Sequence, residues 1–66
     1  MRVRINGVDL LIEPLMTVAL LIARRKMQPE MVVVEYNGVI LDKDKWEAAV
    51  FKENDVLEIL SFMGGG

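Results

Sequence analysis

Apolar and charged residues alternate strictly at the start of the chain. Met1, Val3 and Ile5 are apolar, and Arg2 and Arg4 lie between them. A period of two puts successive side chains on opposite faces, so this stretch predicts a half-buried strand. Asn6-Gly7 follows, a pair that tolerates the positive φ angles of a tight hairpin turn. Val8, Leu10 and Ile12 resume the alternation against Asp9 and Glu13, and residues 1–13 read as a β-hairpin. Leu11 breaks the pattern, because it falls on the polar side of the second strand.

Pro14 ends that strand. Thr17 is positioned as the N-cap of a helix over residues 18–27, where Val18, Leu21 and Ile22 share one face at i, i+3 and i+4. Leu20 is apolar beyond what that face needs. The loop Glu13–Thr17 lacks the glycine that commonly precedes such a helix. Arg24, Arg25 and Lys26 fall in the last turn, where cations suit the helix dipole. This basic triplet reads as a solvated helix end or as a docking patch for an acidic partner. Pro29 is expected to stop the helix.

"MVVVEYNG" reads as a strand with Val32, Val34 and Tyr36 on one face and Val33 and Glu35 on the other. A second Asn-Gly pair, Asn37-Gly38, turns the chain into the short run Val39-Ile40-Leu41. Asp42 is expected to cap one helical turn through Trp46 to Ala49, and residues 52–55 to form a surface turn. "VLEILSF" is the final strand, with Leu57 and Ile59 facing one way and Val56, Glu58 and Leu60 the other. The resulting order is ββαββ with a short helical turn before the last strand. It predicts an α+β fold in two layers, a mixed sheet of four to five strands on one helix.

With 66 residues the chain makes one small domain, expected over residues 1–63, followed by a glycine tail at 64–66. There is no cysteine and no histidine. Disulfides, thiolate metal sites and histidine-based triads are thereby excluded, and Ser61 has no imidazole to activate it. Asp42 and Asp44 alternate with Lys43 and Lys45, as a solvated turn does, so they are not read as an acid–base pair. Gly7 and Gly38 are lone turn glycines, so no phosphate-binding loop lies inside the domain. Eight basic against ten acidic residues give a net charge of −2, which argues against nucleic-acid binding. The longest apolar run, residues 18–23, is too short to span a membrane, and a cytoplasmic protein without a signal peptide is expected. Trp46, the single tryptophan, reads as a core packer with its N–H bonded locally or as an interface anchor.

Two features carry functional interest. By alternation Leu11, Val33 and Leu60 sit on the sheet face away from the helix, where together with Phe62 and Met63 they are candidates for a partner-binding surface. The chain then closes on Gly64, Gly65 and Gly66. Such an end either frays or threads a narrow channel, because glycine has no side chain. In the second case the Gly66 carboxylate reaches another protein's active site first. Activated as an acyl-adenylate, it becomes open to attack by sulfur, nitrogen or oxygen.

These residues resemble the ubiquitin-like β-grasp fold and, within it, the ThiS family of thiamine-biosynthesis sulfur carriers. The resemblance spans "RVRINGVDLLI", "VVVEYNGVIL", "DKDKWEAAVF" and "ENDVLEILSFMGGG", with two Asn-Gly turns, Trp46 and the glycine terminus. It implies a carrier rather than an enzyme. An E1-like adenylating enzyme of the ThiF type would use ATP to adenylate Gly66, and no cofactor would be bound by the carrier itself. Sulfur from a cysteine desulfurase or rhodanese-like donor would give a C-terminal thiocarboxylate, which a thiazole synthase of the ThiG type would accept. Gly65 would be the other half of the family's Gly-Gly pair, and Gly64 an additional glycine. The small subunit of molybdopterin synthase, a MoaD-type carrier, shares this fold and chemistry. A lysine-conjugating modifier and a plain interaction module stand as further alternatives.

Overall fold

The computed structural model describes residues 1–62. Gly64, Gly65 and Gly66, and Met63 before them, lie outside the described residues. Among the described residues five strands and one α-helix form: β1 (Arg2–Ile5), β2 (Val8–Leu11), α1 (Val18–Arg24), β3 (Val32–Tyr36), β4 (Val39–Leu41) and β5 (Val56–Ser61). The run Val39–Leu41 is thus a strand of its own, and the order reads ββαβββ. The sheet order is β2-β1-β5-β3-β4, with β1 parallel to β5 and the other neighbours antiparallel. One helix on a mixed sheet is the two-layer α+β fold expected from the pattern, and with the last strand at the centre it is the β-grasp that the resemblance implied. No helix among the described residues is long and apolar enough to cross a membrane.

Both Asn-Gly pairs form the turns expected of them. Asn6 and Gly7 have φ of 50° and 81°, and Asn37 and Gly38 have 51° and 86°. Two successive positive φ angles define the type I′ turn, whose twist matches that of the flanking strands. Alternation places Val3 and Ile5 of β1, Val32 and Val34 of β3, and Leu57 and Ile59 of β5 in the core. There they meet Val18, Leu21 and Ile22 of α1, and Met16, Trp46 and Phe51 complete the cluster. Each such side chain contributes about 1.5–3 kcal/mol by leaving water. Trp46 is buried and its Nε1–H donates to the Leu41 carbonyl at 3.1 Å, the packing role among its two readings. Val8 is exposed although it keeps the alternation, because β2 is an edge strand covered on one flank only.

The start of α1 leaves N–H groups without intrahelical acceptors. Thr17 Oγ1 accepts from Leu20 N–H at 3.1 Å, as an N-cap should. The Val18 and Ala19 N–H groups donate to the carbonyls of Ala49 and Trp46, at 3.0 and 3.2 Å. The segment before β5 therefore caps the helix from outside. Leu15, in the loop where a glycine was expected, takes the left-handed conformation itself, at φ 67°.

The helix is shorter than its apolar periodicity suggests, ending at Arg24 rather than residue 27. Pro29 is not what stops it. Lys26 N–H donates to the Ala23 carbonyl at 3.0 Å, Met27 N–H donates to the Ile22 carbonyl at 3.2 Å, and Lys26 sits at φ 58°. This is a Schellman closure with lysine in the left-handed position that glycine usually fills. Met27 packs back on the core. Pro29 instead begins a 3₁₀ turn, Pro29–Met31, before β3. A second 3₁₀ turn, Lys43–Lys45, stands where one helical turn through Ala49 was expected. The Asp42 side chain makes no cap bond there, and its backbone carbonyl accepts from Lys45 N–H instead.

Asp55 departs most from expectation. Read as part of a surface turn, it is only 5% exposed. Its carboxylate accepts hydrogen bonds from the Tyr36 hydroxyl, the Lys52 backbone N–H at 2.7 Å and the Asn37 side-chain amide at 3.1 Å. The Tyr36 ring stacks on Phe51 with centroids 5.9 Å apart. The hub ties the β3–β4 turn to the start of β5. Burial pushes the Asp55 carboxyl up. The hydrogen bonds from Tyr36, Lys52 and Asn37 together with the nearby Lys52 charge outweigh it and hold the group below its ordinary value. Tyr36 is pushed up, by burial first and then by its bond to Asp55.

Two outcomes follow for stability. Lys26→Gly removes the left-handed strain at the cost of some unfolded-chain entropy, and should stabilise the domain by about 0.5–1 kcal/mol, read by urea unfolding. Asp55→Ala leaves three donors without their acceptor and should cost about 3 kcal/mol at neutral pH. The Asp55 carboxyl is depressed in the folded state, so its contribution is present above the unfolded value near ~4 and fades as pH falls through the folded one. Unfolding series from pH 7 downward should show that the variant has lost this part of the acid sensitivity.

Candidate functional site

The site is built on β5, because β5 leads to the terminal glycines. It is the central strand, with β1 on one side and β3 on the other. Its even-numbered residues Val56, Glu58 and Leu60 face away from α1, while Leu57 and Ile59 are buried beneath it. Beyond Ser61 the ladder with β3 continues, since Phe62 N–H donates to the Met31 carbonyl at 2.7 Å. The exposed Phe62 side chain follows Leu60 by strand alternation.

Register decides which candidate residues come together. Val33 and Leu60 are direct partners across β3 and β5 on the open face. Glu35 faces Glu58 one step along that face, and Ile40 of β4 stands opposite Glu35. Val33, Ile40 and Leu60 rim a shallow hollow of 310 Å³ whose walls include both glutamates. Leu60 is 60% exposed, a large apolar side chain in water on the strand nearest the tail.

Leu11 does not join them. It is 80% exposed on β2, opposite Arg2 of β1. Since Arg4 is level with Val56, Arg2 is level with residue 54, and Leu60 lies six positions further along, about 20 Å. Arg2, Arg4 and Asp9 surround the Leu11 end of the face, where Arg4 Nε donates to Asp9 Oδ1 at 2.9 Å. That hydrogen bond and the guanidinium charge hold the Asp9 carboxyl below its ordinary value. The open face is thus divided, basic toward Leu11 and apolar with two acids toward Leu60. The expected patch of Leu11, Val33 and Leu60 is a pair, Val33 and Leu60, joined by Ile40. Alternation within β4 could have supplied Ile40, but its neighbours Val39 and Leu41 are equally apolar and hid which of the three points outward.

Among the described residues no group of three or more His, Cys, Asp or Glu lies close enough to hold a metal ion. A hollow of 360 Å³ between β4 and residues 48–52 is lined mainly by Val39, Ile40, Leu41, Ala49 and Val50. Of the basic triplet, Arg24 pairs with Glu13 in the loop before α1, and Arg24, Arg25 and Lys26 are all exposed.

Comparison with known proteins agrees with the fold. The crystal structure of thiamine biosynthesis protein ThiS from Geobacter metallireducens superposes with a TM-score of 0.82 at 35% identity, covering 100% of both chains. The solution structure of a thiamine biosynthesis protein from the same organism gives 0.79, covering 88% of that chain. Sulfur carrier protein ThiS of Bacillus subtilis is 34% identical over 50 residues, 76% of each chain. An uncharacterized protein, ycf40, of Trieres chinensis is 42% identical over 36 residues, so that the match spans about half (49%) of that protein. The ThiS family model matches residues 3–66, from the first core valine through the last glycine, and the chain belongs to the ThiS family.

Proposed function

We propose that this chain is a sulfur carrier of thiamine biosynthesis that works through the main-chain carboxylate of Gly66. The observation that carries the reading is the extent of the family match, which runs through the terminal glycines. The Bacillus subtilis relative named as a sulfur carrier supports it. In this reading the Gly66 carboxylate attacks the α-phosphorus of ATP on an E1-like adenylating enzyme and expels pyrophosphate. A donor persulfide then displaces AMP to form an acyl disulfide, and a thiol cleaves its S–S bond, leaving the thiocarboxylate on Gly66 and a disulfide between the thiol and the donor. Thiazole synthase takes the sulfur, and the carboxylate returns. The ATP belongs to the partner enzyme, and the carrier contributes the acyl group.

The sequence of the tail suits a carried role. Gly64, Gly65 and Gly66 present no side chain to a narrow channel, and three residues extend at most about 10 Å. The body of the carrier must therefore press against its partner for the end to arrive. The apolar hollow of Val33, Ile40 and Leu60, with Phe62 beyond it, is the surface assigned to that contact. Glu35 and Glu58 would favour a partner cation among those apolar contacts.

Three measurements test the reading. Intact-mass analysis of the protein from cells with an active thiazole pathway should show a species heavier by the mass difference between sulfur and oxygen, localised to Gly66. Deleting Gly65 and Gly66 should abolish ATP–pyrophosphate exchange by the adenylating enzyme while the circular dichroism spectrum stays unchanged. A truncated chain that is still activated refutes the reading. Leu60→Asp should weaken binding to the adenylating enzyme at least about tenfold. Because Leu60 is exposed, stability should change by less than about 1 kcal/mol.

A further inference from the structure

The ladder between β1 and β5 is short. Arg4 is level with Val56 and Ile5 with Leu57, and there the strand pairing ends. Arg4 N–H donates to the Asp55 carbonyl and Asn6 N–H to the Leu57 carbonyl, each at 2.9 Å. In a parallel ladder the next rung would be the Asn6 carbonyl accepting from Ile59 N–H. Asn6 instead enters the type I′ turn, which carries its main chain away. Its side chain replaces the missing rung. Asn6 Oδ1 accepts from Ile59 N–H at 2.7 Å, and Asn6 Nδ2 donates to the Ile59 carbonyl at 3.2 Å. One carboxamide thus pairs with both polar groups of one β5 residue.

The turn alone does not explain this choice of residue. A type I′ turn accepts asparagine, aspartate or glycine at its first central position. Asparagine alone of the three carries a donor and an acceptor on one planar group. We infer that Asn6 is a positioning residue, whose side chain clamps β5 at Ile59 and fixes the direction in which the main chain runs on toward Gly66. Its functional consequence rests on the carrier reading above. A carrier whose outgoing strand is held in register presents its end pre-oriented, and loses less freedom on docking than one whose strand peels back.

The second turn provides an internal control. Asn37 Oδ1 accepts from Val56 N–H at 2.8 Å, and Asn37 Nδ2 donates to Asp55. Asn37 therefore grips β5 where the strand begins, and Asn6 grips it where the strand leaves. Substituting either by glycine preserves the turn's backbone.

The test is amide hydrogen exchange by NMR on the full chain and on Asn6→Gly, Asn6→Asp and Asn37→Gly, each corrected for its global stability. Asn6→Gly should speed exchange at Ile59 and at residues 60–62 by about tenfold, as expected for two lost hydrogen bonds. Asn6→Asp keeps the acceptor for Ile59 N–H and should fall between. Asn37→Gly should act at Val56 and leave residues 59–62 at the wild-type level. With the adenylating enzyme, Asn6→Gly should raise KM severalfold at unchanged kcat, because a smaller fraction of the carrier is competent to dock, while Asn37→Gly keeps the wild-type KM. Equal effects of the two glycine variants along β5, or wild-type exchange at Ile59 in Asn6→Gly, overturn the inference. A wild-type chain that is never activated defeats the carrier reading, and the exchange comparison still decides the clamp.

Discussion

The parallel pairing of β1 with β5 is the constraint on which the rest depends. It joins residues about fifty positions apart and inserts the last strand between the two hairpins. Without it the β1–β2 hairpin and the β3–β4 hairpin share no ladder. Antiparallel neighbours can be joined by two-residue turns, but a parallel pair needs a long crossover. Here the crossover contains β2, α1, β3, β4 and the segment that caps α1. Each of those parts also serves the closure. Asp55 anchors the entry of β5, Trp46 and Phe51 fill the space under the helix, and residues 46–49 meet the helix N-terminus.

The central position of β5 also links fold to function. The same strand buries Leu57 and Ile59 in the core, shows Leu60 to solvent and leads to the terminal glycines. A partner that covers Leu60 touches the side of the sheet whose reverse is the most buried part of the molecule. The divided open face adds direction. Arg2 and Arg4 lie at one end, and Glu35 and Glu58 flank the apolar hollow at the other. Glu35 and Glu58 face each other across two strands, a like-charge arrangement that is unfavourable in isolation.

Much of the architecture was legible in the residues because it depends on local rules. Two Asn-Gly pairs marked both hairpin turns, Thr17 marked the helix start, and alternation placed Leu57 and Ile59 inside. What was illegible depended on distant partners. The helix end was assigned to Pro29 because a lysine in a glycine position leaves no trace in an apolar pattern. Asp55 looked like one more polar turn residue, since its three donors come from Tyr36, Asn37 and Lys52 only after folding. Leu11 and Leu60 share a face by parity, but parity does not report how far apart register puts them. The family resemblance was carried by the ordering of these pieces together with the glycine end, a pattern that no single residue type supplies.

The geometry of β1 beside β5 has a mechanical meaning. The strands run the same way, so a load applied between the start of β1 and the outgoing end of β5 pulls along both axes in opposite senses. Every rung between them then bears force simultaneously, whereas a peeling load would break them one at a time. A strand pair loaded in this way resists traction better than one loaded rung by rung.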